Sequence, residues 1–288
     1  MKQPIKSILP SFKKYAASAT SVSSTKTTGT PIVFLHGFLG SKKNFSKLAR
    51  HFNRLMNRDA YTIDARNHGE SAHIQSFAYP AQMQDLVQFM NSEKIDKATL
   101  VGYSMGAKTA MKYALKHPER VDKMVCIDNA PVTKPIGPEF EGYVQALKNV
   151  VIWSKDHIKE RNHREFKKLL MKRLLEEVNG DAQIAVYLAD VVDVKNGKVV
   201  VKMPLEYMDD MALRQLGEWS LETPIKPSQV ETLTIKAGQS PFVDNDGIAE
   251  MKKLFPRSQF EVIEGATHAN ILVDYNTEVT HLIENHIK

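Results

Sequence analysis

The chain has 288 residues, 42% of them hydrophobic and 25% charged, with a mean hydropathy of −0.33. That much apolar material can fill the core of one large α/β domain with an insertion and excludes global disorder, while no apolar run reaches the roughly 18 residues a bilayer span needs. The net charge of +6 suggests a nucleic-acid partner until it is mapped: Lys2, Lys6, Lys13, Lys14 and Lys26, with no acid, occupy residues 1–28, so the remainder carries only +1 and has no basic stripe.

The first 28 residues are basic and rich in Ser, Thr and Ala, and the first acidic residue of the chain is Asp59. This is the composition of a mitochondrial presequence, or transit peptide. Ile5, Leu9 and Phe12 lie at helical spacing, interrupted by Pro4 and Pro10. The leader is therefore expected to direct the protein to mitochondria, with a cytoplasmic tail as the alternative.

From residue 31, short β-branched runs alternate with longer stretches of helical period, the pattern of parallel strands joined by crossover helices. "PIVFLHG" reads as a strand, "SKKNFSKLARHFNRL" as a helix, "AYTIDAR" as a strand and "AQMQDLVQFMNSE" as a helix. "KATLVGYS" is the next strand, followed by a helix from Met105 to about His117, which Pro118 stops, and then by "DKMVCIDNAP". Strands buried on both faces read as continuous apolar runs, as these do. The lone cysteine, Cys126, sits in such a run and is expected to pack as a small hydrophobe.

The pattern changes near Pro131. Phe166, Leu169, Leu170 and Leu174 share a helical face, and "DVVDVKNGKVVVKM" carries Asn196 and Gly197, a hairpin-turn signal. The alternation then resumes with "ETLTIKAG" as a strand, a helix near "GIAEMKKLF", "QFEVIEG" as a strand and a last helix from about Asn276. The expected organisation is a leader (1–28), a first core part (29–130), an inserted cap (131–226) and a second core part (227–288). The fold class is α/β, with a mostly parallel central sheet and helices on both faces.

Gly102-Tyr103-Ser104-Met105-Gly106 fits G-x-S-x-G between a strand and a helix, the context of a nucleophile elbow. The turn is tight, so small neighbours are needed, and the helix N-terminus beyond it favours developing negative charge. A serine hydroxyl needs a base, and the base needs an orienting acid. Of ten histidines, His268 follows the last strand at the sheet edge that presents Ser104. His36, beside Gly37, more plausibly shapes a loop, and His117, His157 and His163 fall on helix ends or polar cap faces. For the acid, the loop after the penultimate strand offers Asp244 and Asp246, with Ser240 in the slot before the proline. Asp128 competes from the end of "MVCID", on the strand after the nucleophile helix, and is favoured because adjacent strands bring their ends within a few ångströms. The oxyanion hole is expected from the backbone N–H groups of Met105 and of Phe38 in "HGFLG".

With "FLHGFLGSKKNF", "DARNHGES", "GYSMGAKTAM", "CIDNAP" and "LFPRSQF", the sequence resembles the α/β-hydrolase superfamily from about Pro31 to Tyr275. Within it, the chain is similar to the ABHD11-like esterases, a group that includes yeast ethanol acetyltransferases. The resemblance implies a triad acid at Asp128. Tyr103, Ala107 and "THANI" depart from the family's usual residues.

The triad implies a serine esterase and acyltransferase. The resemblance adds alcohol O-acetylation, with acetyl-CoA as substrate and ethyl acetate as product, accompanied by esterase and thioesterase activity. The alternative is a mitochondrial carboxylesterase or thioesterase without significant transferase activity. Serine in the nucleophile slot argues against a dehalogenase or epoxide hydrolase, and with no HExxH, Cys/His cluster or dinucleotide fingerprint no cofactor or metal is expected. The expected partners are a small-molecule acyl donor and an alcohol, with neither nucleic acid nor integral membrane association. Trp153, Trp219, Phe242 and Ile271 are candidates for lining the pocket, with apolar packing the expected role of each.

Overall fold

A computed structural model of the chain describes residues 6–18, 29–157, 163–195, 198–221 and 225–288. Its centre is a seven-stranded sheet built from β1 (Phe12–Tyr15), β2 (Ile32–Leu35), β3 (Ala60–Ile63), β4 (Ala98–Tyr103), β5 (Val121–Ile127), β8 (Glu231–Ala237) and β9 (Ser258–Ile263), in the order β1-β3-β2-β4-β5-β8-β9. All neighbours pair in parallel except β1, which runs antiparallel to β3. Parallel pairing requires crossovers, and the helices α1 (Ser46–Met56), α2 (Tyr79–Ser92), α3 (Met105–Lys116) and α8 (Asn245–Leu254) supply them, with α9 (Asn276–Ile287) closing the chain.

Because side chains alternate across a strand, each apolar run feeds two cores. Ile32 and Phe34 pack with Phe45, Leu48 and Phe52 beside α1, and with Val279 and Ile283 of α9. Val33 and Leu35 face the other way, onto Leu86 and Phe89 of α2 and Met111 of α3. Phe34 and Phe89 are fully buried, and burying each such side chain stabilises the fold by roughly 1.5–3 kcal/mol. Cys126 lies within the second core, where burial raises its thiol pKa.

Residues 6–18 differ from the expected helical spacing. Ile5 lies outside the described residues, and Phe12 begins an edge strand rather than continuing a helix. Its ring packs at 5.2 Å from that of Phe89 and 6.1 Å from that of Tyr61. The backbone on either side is tied to the body: Ile8 N–H donates to Asp85 Oδ1 at 2.8 Å, Ser11 N–H to Ser71 Oγ at 2.8 Å and Ala17 N–H to Asp59 Oδ1 at 2.8 Å. Pro10 blocks a helix here, and Lys13 and Lys14 leave a charged edge that discourages further strand addition.

Between β5 and β8 the chain forms a separate layer of α4 (Pro138–His157), α5 (His163–Glu177), α6 (Ala182–Ala189), an antiparallel pair β6 (Val192–Lys195) and β7 (Lys198–Val201), and α7 (Asp210–Gly217). The turn residues Asn196 and Gly197 lie outside the described residues, and the flanking strands pair in register, Lys195 opposite Lys198. Leu147, Val150, Phe166, Leu174 and Leu188 of this layer share one buried cluster with Phe38, Leu39, Tyr79 and Met105. The cap therefore sits on the loops at the C-terminal ends of β2 and β4. Tyr79 Oη donates to the Leu216 carbonyl at 2.7 Å and Lys108 Nζ to that of Gly217 at 2.9 Å, fixing the C-terminal end of α7.

Deleting residues 1–18 removes Phe12 from its pocket and exposes the β3 edge. Loss of that burial alone is worth about 2 kcal/mol, so thermal unfolding should shift down by about 5 °C or more, read by differential scanning fluorimetry. An unchanged midpoint would show that β1 contributes nothing to stability.

Candidate active site

The sheet delivers three side chains to one rim. Ser104 follows β4 with φ 53° and ψ −115°, a sharp turn into α3. The two glycines of the pentapeptide have steric causes: a Cβ on Gly102 would stand 2.5 Å from the Gly106 carbonyl carbon, and one on Gly106 would stand 2.2 Å from the Leu35 oxygen. Ser104 is 8% exposed, and its amide donates to the Ile127 carbonyl at 2.9 Å, tying the turn to β5.

His268 lies in the turn-rich loop after β9. Its ring is held between Tyr103, 5.1 Å away and nearly parallel, and Phe242, 4.2 Å away, while Tyr103 Oη donates to the His268 carbonyl at 2.5 Å. Nε2 is 2.9 Å from Ser104 Oγ, and Nδ1 is 2.7 Å from Asp128 Oδ2. Asp128 directly follows β5 with φ 49° and is fully buried, and its other oxygen accepts the Ala237 N–H at 3.0 Å. A buried carboxylate with both oxygens occupied holds Nδ1 protonated, which leaves the Nε2 lone pair facing the serine hydroxyl.

The competing acid is elsewhere. Asp244 caps α8 by accepting the Gly247 N–H at 2.9 Å and pairs with Lys134 Nζ at 2.6 Å, which holds its carboxyl below the ordinary range. Ser240 Oγ accepts the Phe242 N–H at 3.3 Å.

Gly37 and Phe38 lie directly against the serine: a Cβ on Gly37 would meet the Tyr103 ring at 2.9 Å and Ser104 Cβ at 3.2 Å. The N–H of Phe38 has no acceptor among the described residues, and Met105, first residue of α3, has an N–H that helix geometry leaves unpaired. The loop is braced by two buried histidines. His36 donates from Nδ1 to the Gly37 carbonyl at 2.7 Å and accepts the Ala65 N–H at Nε2 at 3.0 Å. His68 donates from Nδ1 to the Arg66 carbonyl at 2.9 Å and accepts the Leu39 N–H at Nε2 at 3.3 Å. Each must be neutral to accept a backbone N–H. Burial lowers the pKa of both, that of His68 to about 3.

A cavity of about 250 Å³ opens above the serine, between the core residues Phe38 and Phe242 and the cap residues Phe140, Tyr143 and Tyr187. Phe242 thus lines the cavity and touches the histidine. Ile271 packs in the core, Trp153 in the cap and Trp219 against the α3 side of the sheet. Sequence reasoning missed Phe140, Tyr143 and Tyr187, since an aromatic residue on a cap helix carries no mark separating a cavity wall from packing. It also missed His68, which stands in the quoted "DARNHGES" and whose spacing from Asp64 and Gly69 was the available signal. Among the described residues no cluster of His, Cys, Asp or Glu could hold a metal, and no helix is long and apolar enough to cross a membrane.

The fold and the rim geometry define an α/β protein with a serine, a histidine and an aspartate in one hydrogen-bonded line under a cap. Residues 30–275 match the family model described as alpha/beta hydrolase fold, and the chain belongs to that family. It is 34% identical over 242 residues to a probable alcohol acetyltransferase of Wickerhamomyces anomalus, covering 80% of this chain and 71% of the relative. It is 31% identical over 260 residues to the sn-1-specific diacylglycerol lipase ABHD11 of Xenopus laevis, covering 89% and 80%. Among solved structures, a marine microorganism esterase superposes with a TM-score of 0.77 at 25% identity, over 96% of this chain and 99% of that one.

Neutral His68 links acidity to stability. The unfolded chain takes up this proton below about pH 6.5 and the folded chain only near pH 3, so the folded state loses stability as pH falls across that window. The unfolding free energy of His68→Asn should fall less steeply between pH 6.5 and 4 than that of the wild type, measured by urea titration. Equal slopes would remove His68 as the cause.

Proposed function

We propose that the protein is a serine-dependent acyltransferase and esterase that works through an acyl-enzyme, with acetyl-CoA as donor and ethanol as acceptor. One observation carries the acyl-enzyme part of the reading: the Oγ–Nε2 distance of 2.9 Å in line with the Nδ1–Oδ2 distance of 2.7 Å. Ser104 Oγ attacks the acetyl carbonyl carbon as His268 Nε2 takes its proton, and the carbonyl electron pair moves onto oxygen. The N–H groups of Phe38 and Met105 receive that oxyanion, each donor worth about 3 kcal/mol of transition-state stabilisation. Collapse breaks the carbon–sulfur bond, and the imidazolium returns its proton to the thiolate, releasing free CoA. Ethanol then gives its proton to His268 and its oxygen to the acyl carbon, and ethyl acetate leaves as Ser104 is reprotonated. Water in place of ethanol yields acetate, so esterase and thioesterase activities accompany transfer.

The relative named probable alcohol acetyltransferase supports transfer. The relative named diacylglycerol lipase and the esterase neighbour support a second reading, in which hydrolysis dominates. The basic, acid-free leader supports mitochondrial import. Because Phe12–Tyr15 pairs with β3 and the backbone beside it is tied to the body, import is proposed to leave these residues in place.

Purified protein given acetyl-CoA and ethanol should produce ethyl acetate by gas chromatography, and acetate as the sole product would decide for the hydrolase. Ser104→Ala should abolish labelling by a fluorophosphonate probe. Asp128→Asn should lower turnover of p-nitrophenyl acetate by about 10³-fold or more, whereas Asp244→Asn should leave turnover within about twofold and cost less than about 1 kcal/mol of stability, because asparagine still caps α8 and only the exposed pair with Lys134 is lost. The reverse pattern would assign the acid to Asp244.

A further inference from the structure

The two peptide planes that flank Phe38 are almost completely accounted for by hydrogen bonds. In the Gly37–Phe38 plane, the carbonyl accepts the Gly40 N–H at 3.0 Å and His36 Nδ1–H at 2.7 Å. In the Phe38–Leu39 plane, the N–H donates to His68 Nε2 at 3.3 Å, and the carbonyl accepts the hydroxyl of Tyr187. The group left over is the N–H of Phe38, beside Ser104. It shares its plane with the Gly37 carbonyl, and the Phe38–Leu39 plane, followed by Leu39 at φ 60°, restrains it through the backbone torsions of Phe38.

Three of these four constraints come from the core: His36, His68 and the turn itself. The fourth does not. Tyr187 belongs to α6 of the cap, on the far side of the cavity that it helps to line. Its ring packs with the cap cluster, and its hydroxyl reaches across to the oxyanion loop. A phenol that only packed against its neighbours would need no such partner, and phenylalanine would serve as well.

We propose that Tyr187 is a positioning residue for the oxyanion hole: its hydroxyl pins the Phe38 carbonyl, so that seating of the cap over the cavity restrains the Phe38 torsions and with them the loop that presents the Phe38 N–H. The inference rests on the serine acyl-transfer reading. Its consequence is that a cap shifted from its seat leaves Ser104, His268 and Asp128 assembled but weakens charge stabilisation. The cap thereby governs a step of the chemistry as well as access.

The test uses full-length protein and two substrates that differ in one atom, p-nitrophenyl acetate and its thiono counterpart, in which sulfur replaces the carbonyl oxygen. The larger, softer sulfur accepts N–H bonds weakly, so turnover of the thiono ester depends far less on the oxyanion donors, while both esters need the same nucleophile and base. Tyr187→Phe removes only the hydroxyl. It should lower kcat for the oxo ester roughly tenfold, with KM changed less than about twofold, and lower kcat for the thiono ester by less than about twofold. The oxo-to-thiono ratio then falls by about fivefold or more. The ratio is taken within one preparation, so a fraction of unfolded variant cancels from it. An unchanged ratio, whether both rates fall together or neither falls, overturns the proposal. Ser104→Ala separates the two ideas. If it is inactive while Tyr187→Phe keeps the wild-type ratio, only the role of Tyr187 is lost. If Ser104→Ala turns over both esters like wild type, the acyl-enzyme reading fails and the inference fails with it.

Discussion

The carboxylate of Asp128, fully buried at the end of a central strand, is the constraint around which the site is organised. A charge in that position is tolerable only if both oxygens find donors, because an unpaired buried carboxylate costs several kcal/mol. One donor, the Ala237 N–H, is supplied by the end of the neighbouring strand and is part of the fold. The other is the Nδ1–H of His268, which arrives on a loop 140 residues further along the chain. Burial of the carboxylate thus demands that the histidine be in place, and the histidine so held turns its second nitrogen to the serine. Fold stability and the readiness of the hydroxyl are in this way tied to one ion-dipole contact.

Parallel topology makes the meeting possible. All strand ends that carry site residues point to the same rim, and the backbone turns sharply at each: Leu39, Ser104 and Asp128 all have φ between 49° and 60°. These residues lack glycine's freedom, so the strain must be balanced by contacts around them. Ser104 is held by the Ile127 carbonyl and Asp128 by that of Ile235, bonds that continue the ladder of the sheet one residue beyond the strands. The sheet therefore holds the strained turns with the same hydrogen bonds that hold the strands.

Much of this was legible in the sequence for a physical reason. Strands covered on both faces leave continuous apolar runs such as "IVFL" and "KMVCI", and a nucleophile turn leaves glycines whose replacement would collide with backbone. What escaped notice is of a different kind. β1 carries lysines and follows a proline, so its composition matches a leader, and only pairing with β3 and the Phe12 contact with Phe89 reveal a strand. Phe140, Tyr143 and Tyr187 have the composition of ordinary packing residues, and whether an aromatic ring faces a cavity is decided by tertiary placement that periodicity does not encode. Between Asp128 and Asp244, both near strand ends, the sequence favoured Asp128, and it is Asp128 that meets His268.

The same division explains why the rim chemistry and the outcome of the reaction are separable. Under the proposed acyl-enzyme route, the serine, histidine and oxyanion donors would treat the intermediate alike whether water or an alcohol attacked it, since both present a hydroxyl to His268 Nε2. Partition between them depends on how long each resides beside the acyl carbon. Water is present at roughly 55 M, so an alcohol competes only where the walls favour its alkyl part, and one ethyl group desolvated against aromatic rings gains about 0.8 kcal/mol per methylene. Phe38, Phe140 and Phe242 form such walls over Ser104. A gain of that size shifts the ratio by a factor of several per carbon, well short of offsetting the excess of water unless the cavity also excludes it. Under the proposed transfer reaction, selectivity for an alcohol would therefore depend on exclusion of water by the walls of the cavity, among them the cap residues that the chain pattern left indistinct.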